Sequence, residues 1–158
     1  MASGVQVDDQ VKDIINNMKV VKSDADANER IRLVILEIKD GYIKVENIYR
    51  EKDLSGEDDI FKFFLSLLNK EKCRYLLYDC HFETKESSRK EELVFVMWAP
   101  ETAPIKSKMQ YASSKDSIKK VLTGMVLHFL NKFGRLVKVP WFKLTLNLTF
   151  LYSYRNQT

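Results

Sequence analysis

A chain of 158 residues with 45% hydrophobic content is the size of one ordinary domain, able to bury roughly two-thirds of the surface that its unfolded form exposes. No run of about 20 uncharged apolar residues offers a membrane span, and the N-terminus lacks the basic-then-apolar order of a secretory leader, so a soluble intracellular protein is expected. The net charge of +4 is unevenly spread: all 22 acidic residues lie at or before Asp116, while residues 125–158 hold Lys132, Arg135, Lys138, Lys143 and Arg155 with no acid.

Residues 1–6 read as a free arm. Behind them Val11, Ile14, Ile15 and Met18 recur at helical spacing, which predicts an amphipathic helix with Asp8 or Asp9 at its N-cap. Ile31 to Ile38 and Tyr42 to Ile48 are rich in β-branched residues and are split by Asp40-Gly41, a dipeptide suited to a tight hairpin because both positions tolerate positive φ. Ser55-Gly-Glu-Asp58 resembles a capping box ahead of Ile60, Phe61, Phe64, Leu67 and Leu68, a second helix apolar enough to pack on a sheet.

Arg74 to Phe82 and Leu93 to Trp98 read as two more strands, forming the centre of a mixed sheet and separated by a solvated turn from Glu83 to Glu92 that has no apolar residue. Pro100 and Pro104 end the second of them and set up a helix starting near Ile105 to Ser107. On that helix Lys106, Met109, Ser113, Ser117 and Lys120 share one stripe, and Tyr111, Ile118, Leu122 and Ile105 point away from it. One side is core and the other a contact face. Lys108, Lys115 and Lys119 intrude on the core side, which calls for a bend near Ser113-Ser114 or for lysine stems packed along the apolar surface. Further on, Phe142, Leu144, Leu146, Leu148, Phe150, Tyr152 and Tyr154 alternate with polar residues, the period of a strand.

The chemistry-bearing residues are sparse. Cys73 and Cys80 lie seven apart in what reads as one strand, on opposite faces, so free thiols are expected. His81 and His128 have no partner at metal-ligand spacing. There is no ordered Ser/His/Asp set and no glycine-rich phosphate loop, and Asp79, Glu91 and Glu92 read as solvated or ion-paired. A binding protein is expected, not an enzyme. A charge run on a helix is often only a solvated face, so the basic helix gains meaning from its context.

That context is a resemblance. WAPETAPIKSKM (residues 98–109), YASSKDSIKK (111–120), CRYLLYD (73–79), FETKES (82–87) and the opening MASGV resemble the actin-depolymerising factor/cofilin family, its vertebrate cofilin- and destrin-like members in particular. The resemblance implies an α/β actin-depolymerising-factor homology fold, a central mixed sheet flanked by helices. It implies a non-enzymatic protein, without cofactor or metal, that binds actin monomers and filament sides and promotes severing and depolymerisation in the cytoplasm and cytoskeleton. By resemblance the actin contacts fall on Ser3, Gly4, Val5, Lys106, Lys108, Met109, Lys119 and Lys120, with Arg89 and Lys90 belonging to a second, filament-only surface. Ser3 matches the serine whose phosphorylation inactivates family members, which brings in a protein kinase and a phosphatase as partners. Phosphoinositide headgroups compete for the same basic face in the family, and an anionic membrane surface is the alternative partner; nucleic acid is not one.

The chain departs from the family pattern in four places. Asn28-Glu-Arg-Ile-Arg32 stands where a lysine-rich nuclear-import cluster is common, so nuclear entry is expected to be weakened. The turn from Lys85 to Glu92 is one residue longer than usual, and Val121 replaces a frequent third lysine. Residues 1–124 carry the homology core. Residues 125–158 form a divergent basic tail, expected as a helix then a strand and not as an independent domain, which suggests an alternative terminal exon or a read-through. It lacks the family's final acidic helix, so filament contact is expected to suffer more than monomer contact.

Overall fold

The computed structural model describes residues 4–20, 26–58, 60–83, 89–122 and 126–127. Six strands form one mixed sheet: β1 (Gln6–Val7), β2 (Ile31–Lys39), β3 (Tyr42–Arg50), β4 (Arg74–Glu83), β5 (Arg89–Trp98) and β6 (Val126–Leu127), in the order β1-β3-β2-β4-β5-β6. The four long central strands run antiparallel, and the two-residue strands add in parallel at either edge. This is the mixed sheet flanked by helices that the sequence implies. The β2–β3 hairpin turns at Asp40 and Gly41, with φ of 53° and 78°. Two consecutive left-handed residues match the right-handed twist of the flanking strands.

Three helices cover the two faces: α1 (Asp9–Lys19), α2 (Ile60–Ser66) and α3 (Ile105–Val121). Alternation along each strand sends Val34, Leu36, Ile43, Tyr75, Leu77 and Phe95 to one face, where they meet Val11, Ile14 and Ile15 of α1, Tyr111 and Ile118 of α3, and Leu122, which caps α3. The residues between them, Leu33, Ile35, Leu76, Tyr78, Val96 and Trp98, meet Phe64 of α2 on the other face. Each fully buried aliphatic residue here is worth about 1.5–3 kcal/mol of transfer free energy. Asp8 is the N-cap of α1, its carboxylate accepting from the Gln10 N–H at 2.9 Å.

Four details differ from the sequence expectation. The arm is not free as far as residue 6: Val5 and Val7 are buried, and Gln6 and Asp8 donate their N–H groups to the Gly41 and Ile43 carbonyls. Ser55 does not open α2; its hydroxyl donates to the Lys52 carbonyl and closes a short 3₁₀ turn over Glu51–Leu54. The charged stretch between β4 and β5 is shorter than expected, because backbone pairing carries both strands outward until Glu83 meets Arg89. Cys73 is buried one residue before β4 begins.

Asp79 is ion-paired. Arg30 Nε lies 2.8 Å from its Oδ2, and Arg32, itself buried, reaches the Asp79 carbonyl and Glu51 Oε2, the latter at 2.6 Å. The two arginines of the Asn28–Arg32 segment are thus engaged in holding β2 to β4 and to the Glu51–Leu54 turn. Expectations that rest on Ser3, on the turn residues Lys85–Ser88 and on the helix and the alternating strand of the tail beyond residue 127 lie outside the described residues.

Candidate functional site

The site is built around α3 and the segment that leads into it. Pro100 accepts from the Ala103 N–H at 3.1 Å, Pro104 stands at the N-cap with φ −56°, and its carbonyl receives the first helical bond from Lys108 at 3.0 Å. Proline suits this position because its missing N–H would have no helical partner there. Lys108 then reaches back, Nζ donating to the Glu101 carbonyl at 2.7 Å. The entry loop and the first turn of the helix are one clasped unit.

The inner side of α3 is fixed by packing and by buried polar contacts. Tyr111, Ser114, Ile118 and Leu122 are buried. The Tyr111 hydroxyl accepts the Ile38 N–H, and the Tyr75 hydroxyl donates to the Tyr111 carbonyl. Burial pushes both phenols upward from their usual range. Cys73 lies beneath the first turn, hydrogen-bonded to the Ser107 side chain, and its thiol is also pushed up by burial. At the far end Lys19 of α1 donates to the Val121 carbonyl at 2.9 Å, satisfying one of the carbonyls that a helix leaves open at its C-terminus.

The outer side carries the expected contact residues. Lys106, Met109, Ser113 and Lys120 are exposed, and Ser117 is half-buried. Met109 is 67% exposed. Ile105 corrects the sequence reading: it is 74% exposed, not turned to the core. It sits in the first turn and stands four residues before Met109, so the two form an apolar pair on the same helical face. α3 runs unbroken through Ser113-Ser114, and Lys108, Lys115 and Lys119 are half-buried, which favours packed lysine stems over a bend.

The arm meets this helix. Gly4 has φ +73°, Val5 is buried, and Ser117 Oγ donates to the Val5 carbonyl at 2.9 Å. The structure therefore brings Gly4, Val5, Lys106, Lys108, Met109, Lys119 and Lys120 onto α3 and its immediate neighbour. It does not bring Arg89 and Lys90 there: they open β5, opposite Glu83 and Phe82. Sequence reasoning missed Ile105 as a surface residue, and it missed the clasp from Lys108 and the bond from Ser117. The place of Ser117 on the stripe was legible; its distant acceptor was not.

Chemically, this face presents a flexible thioether and a branched aliphatic side chain beside the exposed Lys106, with Lys120 further along the helix. Such a surface can fill an apolar cleft bordered by acids. Among the described residues no group of three or more His, Cys, Asp or Glu is placed to hold a metal, and no helix is long and apolar enough to cross a membrane.

Residues 4–131 match the family model described as cofilin/tropomyosin-type actin-binding protein. Among solved structures, the chain is similar to actin depolymerization factor 2 of Plasmodium berghei, with 27% identity over 82% of this chain and 86% of that one and a TM-score of 0.69. It is similar to the ADF-like UNC-60A protein of Caenorhabditis elegans, with 26% identity over 84% and 88% and a TM-score of 0.64. A cofilin from Streptomyces griseoflavus is 29% identical over 78% and 83%, with a TM-score of 0.62.

Proposed function

Because the chain belongs to the family of cofilin/tropomyosin-type actin-binding proteins, we propose that it binds actin monomers and filament sides through the outer face of α3 and promotes filament severing and depolymerisation. The reading places it in the cytoplasm and on the cytoskeleton, nearest the vertebrate cofilin- and destrin-like branch. It acts as a binding protein, not an enzyme. A protein that prefers an altered filament twist shifts the filament towards that twist, and strain at the boundary favours breakage.

The observation that carries the proposal is Met109, two-thirds exposed beside the exposed Ile105 and Lys106. Large apolar side chains held in solvent next to cations fit a partner that is apolar at the centre and acidic at the rim. Phosphorylation of Ser3 by a protein kinase would add about −1.5 to −2 charge to the arm and so repel the acidic partner that the lysines attract, and removal by a phosphatase would restore binding. Phosphoinositide headgroups would compete for the same lysines. The basic tail and the absence of a family-type acidic ending support tighter binding to monomers than to filaments. With Arg30 and Arg32 engaged in the fold, the basic nuclear-import signal of this segment is weakened and nuclear entry is correspondingly reduced.

The experiment is a titration of fluorescent actin monomers, with filament pelleting alongside, for wild type and for the double variant Lys106→Ala, Met109→Ala. The double variant is expected to bind monomers at least tenfold more weakly, since truncating central contacts costs on the order of 1–2 kcal/mol or more. Equal affinity would remove α3 from the actin site. Flotation with anionic vesicles in the same variants separates the membrane-surface alternative, which predicts loss of lipid binding without any actin binding to lose.

A further inference from the structure

Resting on that reading of α3, we propose that Ser117 is a positioning residue, a latch that fixes the N-terminal arm against the helix and makes the two a single contact surface. A helical serine ordinarily bonds to a carbonyl in its own preceding turn, and Ser66 and Ser113 do so, donating to Phe63 and Gln110. Ser117 instead donates to Val5, 112 residues away in sequence.

The acceptor explains why a latch is needed. In β1 the Gln6 and Asp8 N–H groups face β3 and bond to Gly41 and Ile43. Strand alternation therefore turns the Val5 carbonyl away from the sheet, beyond the edge that β3 can satisfy. Val5 is buried, so the bond from Ser117 to its carbonyl is partly shielded from water and holds the backbone there more firmly than an exposed bond would. A two-residue strand holds poorly alone, and Ser117 supplies a second tether on the opposite side of the same backbone.

The latch also has a direction. Gly4 precedes Val5 with φ +73°, a conformation that favours glycine, so a pinned Val5 and a left-handed Gly4 together fix the backbone direction at residue 4. Ser3 stands two residues beyond the pinned carbonyl. The hydroxyl at position 117 thereby links the phosphorylatable arm to the same helix that bears Lys106 and Met109. The effect of charge at residue 3 depends on it.

The test uses the full chain as wild type, Ser117→Ala and Ser117→Thr, with Lys106→Ala, Met109→Ala as a parallel control. Amide exchange at Gln6 and Asp8 is expected to quicken about tenfold in Ser117→Ala with exchange at Ile38 unchanged, and actin-monomer affinity is expected to fall roughly three- to tenfold. Ser117→Thr keeps the hydroxyl and should retain wild-type values of both. Ser3→Glu should lose most of its effect in the Ser117→Ala background, a non-additive cycle. Unchanged exchange at Gln6 and Asp8 in Ser117→Ala would overturn the latch. Quickened exchange with unchanged actin affinity would overturn its place in the contact surface. Should the Lys106/Met109 control also bind actin normally, the α3 reading itself fails, and the latch is then decided by the exchange rates and their rescue alone.

Discussion

The Tyr111 hydroxyl accepts the backbone N–H of Ile38 at 2.9 Å, so a side chain from α3 completes the hydrogen bonding near the end of a central strand. The same tyrosine offers its own carbonyl to the Tyr75 hydroxyl. The helix that bears the contact face is thus tied to β2 and β4 at its midpoint through polar groups shielded from water.

Tyr111→Phe keeps the ring and leaves the Ile38 N–H without its acceptor. The expected cost is about 1–3 kcal/mol, read as a lower urea midpoint with an unchanged slope. Monomer affinity should stay near wild type, because the phenol lies behind the face and not on it.

Alkaline pH should destabilise the protein through these phenols. Both are held neutral in the folded state by burial, with ionisation pushed upward, whereas an unfolded tyrosine ionises near pH 10. Above about that pH the unfolded chain releases protons that the folded chain keeps. Stability therefore falls as pH rises, by up to about 1.4 kcal/mol per pH unit for each phenol, and is fully present below. The Cys73 thiol acts in the same direction from its own ordinary range, about 8.5. Melting temperature followed from pH 8 to 11.5 should drop steeply, and less steeply in Tyr75→Phe.

Lys106 and Lys108 should separate in their effects. Lys106 is exposed, so Lys106→Ala should weaken monomer binding by about 1 kcal/mol or more with no change in melting temperature. Lys108→Ala also removes the clasp to Glu101, and should lower both affinity and melting temperature. Equal melting curves for the two variants would show that the clasp contributes nothing to the fold.

Ser3→Glu should weaken actin binding while leaving the melting temperature unchanged. Val7→Ala, by contrast, trims a buried side chain and should destabilise by about 1–2 kcal/mol. Loss of affinity without loss of stability in the first variant, and the reverse in the second, would separate a functional from a structural part of the arm.

Cutting the chain after Gly124 removes β6, whose Val126 and Leu127 pair with Val94 and Phe95; cutting after Leu127 keeps it. The shorter form should melt lower. Both should be more soluble than the full chain, since the alternating apolar residues from Phe142 to Tyr154 form an aggregation-prone pattern. Pelleting and severing assays on each form, and on one given a family-type ending, are expected to show stronger filament binding with the transplanted ending. Full severing by the native chain, with no gain from the transplant, would show that the tail replaces the missing surface.

Local signals were readable and non-local ones were not. α1, the β2–β3 hairpin and the start of α3 announce themselves through spacing, the Asp40-Gly41 turn and the two prolines. β1 does not, because two residues carry no period and its pairing partner is Tyr42, far along the chain; the apolar Val5 and Val7 either side of Gln6 were the faint signal. Arg89 to Glu92 looked like turn residues by composition, yet cross-strand bonds to β4 hold them in the sheet. On α3 the helical wheel sorted Tyr111, Ile118 and Leu122 correctly and misplaced Ile105, since a wheel cannot tell where the surface beneath the helix runs out. The same blindness hid the role of Ser117, which depends on an acceptor at the other end of the chain.

The ammonium of Lys19 on the Val121 carbonyl sits at the last turn of α3, where a helix leaves its final carbonyls without partners of its own. The last turn of α3 is thus held from outside the helix, by a residue 102 positions earlier in the chain. A change at position 19, on a different helix, therefore reaches the C-terminal end of the contact helix without touching its outer face.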